Sequence, residues 1–139
     1  MATVSPPPWT YALQLPHDPR APGVARHTLR AVLHAHRLGA LVETAELLAS
    51  ELVTNALQHA EGTCGLRLRA PEPGRLRLGV WDANPDVPPP FKGDPLAPPD
   101  ADAERGRGLR IVEMCADSWG ATTLHQGGKL LWVELVAGD

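Results

Sequence analysis

Two cysteines, one phenylalanine and one tyrosine are all that the 139 residues hold of those types. The scarcities exclude several classes. Cys64 and Cys115 stand far apart and fit neither a zinc-ligand spacing nor a disulfide framework, so reduced, packed thiols are expected. No run approaches the roughly 18 apolar residues of a membrane helix. The start carries no basic residues followed by an apolar stretch, so no leader is predicted either, and a cytoplasmic protein is expected. There is no basic excess: 13 Lys and Arg against 16 Asp and Glu leave a net charge of −3. That balance gives no general reason to bind nucleic acid or an anionic membrane surface. His27, His34, His36 and His59 show no metal-ligand spacing with acidic or Cys partners. What remains is a chain of single-domain length, long enough to bury a core without disulfides or metal.

Residues 1–8, with Pro6, Pro7 and Pro8, read as a flexible lead-in to one domain over 9–139. Trp9, Tyr11, Leu13 and Leu15 alternate, as in a strand. A helix is expected over Val24–Arg37, stopped by Gly39, and a longer one from about Leu41 to Ala60, with Leu41, Ala45, Leu48, Leu52 and Ala56 at three- and four-residue steps. Two strand-like stretches follow near Thr63–Arg69 and Arg75–Asp82, joined by a turn at Pro71 to Gly74. Ala83 to Arg105 holds seven prolines and almost no periodicity. A connection of that length inside a compact domain reads as a lid or binding loop. Gly106 to Ala116 returns to helical spacing. A strand over Trp119–His125 and a closing strand over Lys129–Val136 complete the order, with no internal repeat. The pattern predicts an α+β two-layer sandwich: a mostly antiparallel mixed sheet with helices on one face.

Three places could carry chemistry. On the second helix Glu51 and Asn55 are four apart and share a face, which Gln58 and His59 roughly continue. Asn is a poor helix former, so its place inside a strong helix calls for a reason. A carboxylate and an amide oxygen one turn apart could hold hydrated magnesium and a nucleophile near phosphates. By spacing alone the plainer reading is a solvated polar stripe. At the end of a strand, Val80-Trp81-Asp82-Ala83-Asn84-Pro85 presents a carboxylate that could accept from an amine such as the exocyclic group of adenine; a turn-opening Asp is the plainer reading. Glu104-Arg105-Gly106-Arg107-Gly108-Leu109 directly precedes the third helix. Glycines let backbone amides approach an anion, a helix start favours negative charge, and arginines can add bidentate phosphate contacts. A third Gly at dinucleotide-binding spacing is missing, and so is the Gly-Lys-Ser/Thr of a P-loop.

Taken in series, these elements resemble the GHKL (Bergerat-fold) ATPase domain, in the compact form of the anti-sigma-factor serine kinases. Glu51–Ala60 resembles its N-box, Asp82 its first glycine box and Gly106–Val112 its second. Trp119-Gly120 and the ending Gly127-Gly128-Lys129…Trp132-Val133-Glu134-Leu135 resemble the same subgroup. The resemblance spans roughly Trp9 to Leu135. It implies ATP and Mg2+ as cofactors, with Glu51 as general base and Asn55 on the metal. It further implies that Asp82 receives the adenine amino group and that Gly106 and Gly108 offer amides to phosphate. Arg105 would reach the γ-phosphate. Gln58, His59, Asn84, Arg107 and Leu109 would complete the nucleotide site. The activity implied is serine/threonine phosphorylation of a STAS-type anti-anti-sigma protein, with a sigma factor as second partner, no direct nucleic acid or membrane contact, and room for a homodimer. The alternative is a non-catalytic nucleotide-binding or degenerate module of the same fold. Leu130 stands where the subgroup often carries a hydroxyl residue, and Asn84-Pro85 where the family often has glycine, so weak nucleotide affinity is expected.

Overall fold

The computed structural model describes residues 7–92 and 103–138, with the side chains of 103–108 outside that description. The elements are β1 (Trp9–Leu15), α1 (Ala21–Ala35), a short 3-10 turn (Gly39–Leu41), α2 (Val42–His59), β2 (Cys64–Ala70), β3 (Arg75–Asp82), α3 (Ala103–Cys115), β4 (Ser118–Thr123) and β5 (Lys129–Val136). The order matches the one predicted. The strands form one five-stranded sheet in the order β1-β2-β3-β5-β4. Among the described residues all four pairings are antiparallel, without the parallel pair a mixed sheet would carry. The connection through α3 and β4 lets β5 return beside β3 in the opposite direction.

Period-two alternation decides which face of the sheet is covered. Leu66 and Leu68 of β2, Leu76, Leu78 and Val80 of β3, and Leu131, Val133 and Leu135 of β5 are buried. They meet Ala25, Leu29, Val32 and Leu33 of α1 and Ala45, Leu48, Ala49, Leu52, Val53 and Ala56 of α2 in a single core. Each fully buried Leu or Val contributes about 1.5–3 kcal/mol relative to exposure.

Helix boundaries differ in detail from the periodicity reading. α1 starts at Ala21, because Pro22 fits the first turn, where its missing N–H costs nothing. It stops before Gly39. Arg37 takes a left-handed φ of 60°, and Leu38 N–H donates to Leu33 O at 2.7 Å while Arg37 N–H donates to His34 O at 3.3 Å. That double bond pattern is a Schellman ending, made here with a residue other than glycine. α3 starts at Ala103 rather than at Gly106; Ala and Glu are strong helix formers, so Ala103 and Glu104 extend it backwards. Within the expected lid over 83–105, residues 93–102 lie outside the described part. The expected lead-in over 1–8 is described only from residue 7.

Candidate functional site

The inward row of β3 does not end in an apolar residue. Leu76, Leu78 and Val80 are followed on the same face by Asp82, and the inward row of β5 opens with Lys129. The two are direct cross-strand partners. Lys129 Nζ donates to Asp82 Oδ1 at 2.9 Å, and both side chains are 2 % exposed. A second Lys129 N–H goes to the Asn84 carbonyl at 2.8 Å. Asp82 Oδ1 also accepts the Asn84 backbone N–H at 2.8 Å. Such a pair is tolerated inside a fold only when further hydrogen bonds satisfy each charge, and here they do. Asp82 is among the residues expected from sequence; its partner Lys129 is not. The available signal was a lone cation opening the otherwise apolar run Lys129–Val133. Gly127 and Gly128 permit the approach: Gly127 takes a left-handed φ of 97°, and a Cβ on Gly128 would collide with the Asp82 carbonyl oxygen.

Asn84 ties this end of the sheet to α2. Its Nδ2 donates to the His59 carbonyl at 2.6 Å, and its Oδ1 accepts the Asp86 N–H at 2.9 Å. Both polar ends of the side chain are therefore engaged inside the protein. From the other side His17 Nε2 lies 2.9 Å from Leu57 O and 3.1 Å from Ala60 O. Both partners are carbonyls, so this nitrogen carries the hydrogen. The last carbonyls of a helix lack intrahelical donors; His17 and Asn84 supply them and fix where α2 ends over the Asp82–Lys129 pair. Cys64 is buried nearby. Burial first, and then the Asp82 carboxylate, push its thiol above the ordinary range.

Glu51 and Asn55 are half-buried on α2. The opposite flank of that helix is bound to α1 through Arg30–Glu46 at 2.6 Å and Arg26–Ser50 at 3.1 Å. Glu51 and Asn55 therefore stand on the flank away from α1, at the margin of the core. Asn55 lies one turn, and Glu51 about 12 Å along the helix axis, before His59, whose carbonyl Asn84 holds. Gln58 is exposed and His59 half-buried. The site thus runs as a strip along α2, from the Asp82 cluster towards Glu51. α3 packs on α2 through buried Leu109 and Val112. Gly106 and Gly108 lie within α3, so the amides free for an anion belong to its first residues, ahead of Gly108. The side chains of Arg105 and Arg107 are outside the described part. No group of three or more His, Cys, Asp or Glu is placed to hold a metal among the described residues. No helix among them is long and apolar enough to cross a membrane.

The sequence profile of the histidine kinase-like ATPase domain matches residues 15–135. The chain belongs to this family. The match takes in every element from the end of β1 to β5, so the ATPase signature and the two-layer fold coincide, and membership implies ATP binding. The structure resembles the crystal structure of the RsbU and RsbW domains of Rv1364c from Mycobacterium tuberculosis, with a TM-score of 0.60 and 19% identity over 95% of this chain. The chain spans about a third of that protein, 34% of its length. At this identity the likeness concerns the fold. Among curated proteins no sequence matches.

Proposed function

We propose that this ATPase-family domain is a regulatory protein serine/threonine kinase of the anti-sigma type. It would phosphorylate a STAS-type anti-anti-sigma protein and bind a sigma factor as its second, cytoplasmic partner. The observation that carries the reading is the strip on α2: a carboxylate and an amide one turn apart, half-buried, leading to a buried acceptor at Asp82. Its length suits an adenine held at one end and a γ-phosphoryl group at the other. In this reading Glu51 accepts the proton of the attacking hydroxyl. Asn55 offers its amide oxygen to Mg2+, which when bound would neutralise phosphate charge. Arg105 and the amides at the start of α3 would meet the phosphates. Asn84 acts as a positioning residue, holding α2 against the end of β3.

One observation favours the second reading, a module that binds nucleotide without catalysis or has lost nucleotide. Lys129 already donates to Oδ1 of Asp82, so a base amine must be received by Oδ2 or must displace the lysine. Calorimetry with Mg-ATP separates a nucleotide binder from a degenerate scaffold. Phosphotransfer from radiolabelled ATP to a panel of STAS proteins then tests the kinase. Binding without transfer to any of them would favour the binding module.

A further inference from the structure

The face of the sheet turned away from the helices follows its own register. One cross-strand row runs Arg67, Gly79, Trp132, Gly120, and the next runs Arg69, Arg77, Glu134, Ser118. Gly79 carries no side chain, and a hollow opens beside it between Arg67 and Trp132; the Leu130 side chain leans over the glycine and bounds the hollow, its Cδ1 3.0 Å from where a Cβ would stand. The hollow measures about 210 Å³, with Arg67, Arg69 and Arg77 on one side and Thr122, Leu124 and Leu130 on the other. Trp132 lies flat across the neighbouring strand, since a Cβ on Gly120 would come within 2.5 Å of its Cζ2. Its other face carries the Arg77 guanidinium, 4.2 Å from the ring centroid.

We propose that this open face docks an acidic protein segment that seats one apolar side chain in the hollow against Leu124 and Leu130. Arg75 and Arg77 share Glu134, at 3.6 and 2.7 Å, and Arg75 also meets Glu72 at 3.1 Å. Arg67 and Arg69 have no carboxylate at ion-pair distance among the described residues. The face is therefore cationic on a chain whose net charge is −3, and it attracts carboxylates that the rest of the surface repels. The wall of Leu124 and Leu130 gives a free anion nothing to bury, whereas a segment with both charge and an apolar residue uses both sides. A nucleic-acid base would need an open aromatic face, and the indole lining this hollow is covered on both sides. The surface lies on the side of the sheet opposite α2, so its role does not depend on the nucleotide reading.

The test uses the full chain and a short fluorescein-labelled peptide of repeated Glu-Glu-Leu, followed by fluorescence anisotropy. Binding that weakens with added salt is expected, falling about tenfold or more in R67E/R69E. A Glu-Glu-Ser peptide should bind more weakly than Glu-Glu-Leu, because it leaves the hollow unfilled. Thermal unfolding checks that the variant folds, and R67Q/R69Q serves if charge reversal does not. Equal binding by parent and variant overturns the proposal, as does equal binding of the two peptides. Tighter binding of a labelled oligouridylate would assign the face to nucleic acid instead. A dimer that R67E/R69E dissociates in sedimentation would assign it to a second copy of the chain.

Discussion

Lys129 and Asp82 face each other across β5 and β3 with Nζ 2.9 Å from Oδ1, where the inward rows of these two strands turn from apolar to charged. The pair is stabilised as a unit and costly to break singly, which makes the two residues separable by experiment.

Lys129→Met should destabilise the domain by about 3–5 kcal/mol, because Asp82 would remain buried without its cation. Lys129→Met combined with Asp82→Leu should recover much of that loss, since the uncompensated charge is gone. Urea denaturation of the two variants measures both values. A single variant as stable as the parent would mean that water, rather than Lys129, satisfies Asp82.

Asn84→Ala removes the donor to the His59 carbonyl and the acceptor for the Asp86 N–H. A loss of about 1–3 kcal/mol is expected for leaving such groups unpaired. Hydrogen exchange should quicken over the last turn of α2 and the 84–86 backbone while the α1 amides keep their protection. Uniform loosening would argue against a local clamp.

Glu51→Ala and Asn55→Ala should fail differently under the kinase reading. Glu51→Ala should keep Mg-ATP binding and lose transfer by about 10²–10⁴-fold, the usual worth of general base catalysis. Asn55→Ala should weaken binding itself, and only when magnesium is present. Calorimetry with and without the metal, beside single-turnover transfer, distinguishes the two. Parental transfer by Glu51→Ala would remove it as the base.

Cys64 holds its proton more tightly in the folded state, through burial and the Asp82 charge. Below the ordinary thiol range the folded and unfolded chains carry the same proton. Above it the unfolded chain loses the proton first, so stability should fall as pH rises beyond about 8.5. Cys64→Ala should flatten that slope, read from denaturation midpoints across alkaline pH. Iodoacetamide should label half-exposed Cys115 well before Cys64 in the native protein.

Local patterns carried the layer architecture. Alternation in β2, β3 and β5 and the three-and-four spacing of α2 reflect periodicities set by backbone geometry, so element type and order were legible from sequence. Boundaries were less so. The ending of α1 turned on Arg37 accepting a left-handed φ that local preference assigns to glycine, and α3 reached back past Gly106 to Ala103. In the candidate site Asn55 and Asp82 were visible because each is a residue its element disfavours, and Glu51 because it stands one helical turn from Asn55.

The partnership of Lys129 with Asp82 was decided by tertiary structure. By itself the sequence determined that a carboxylate ends β3 and a cation opens β5, forty-seven positions apart. Whether they meet depends on β5 pairing with β3 rather than with another strand, and on the register that sets residue 82 opposite 129. A slip of one residue would turn Lys129 to the open face. The same pairing puts Arg77 beside Glu134 and leaves Arg67 and Arg69 without a carboxylate among the described residues. Sequence supplied the charges; strand order and register decided which are neutralised and which are left for a partner.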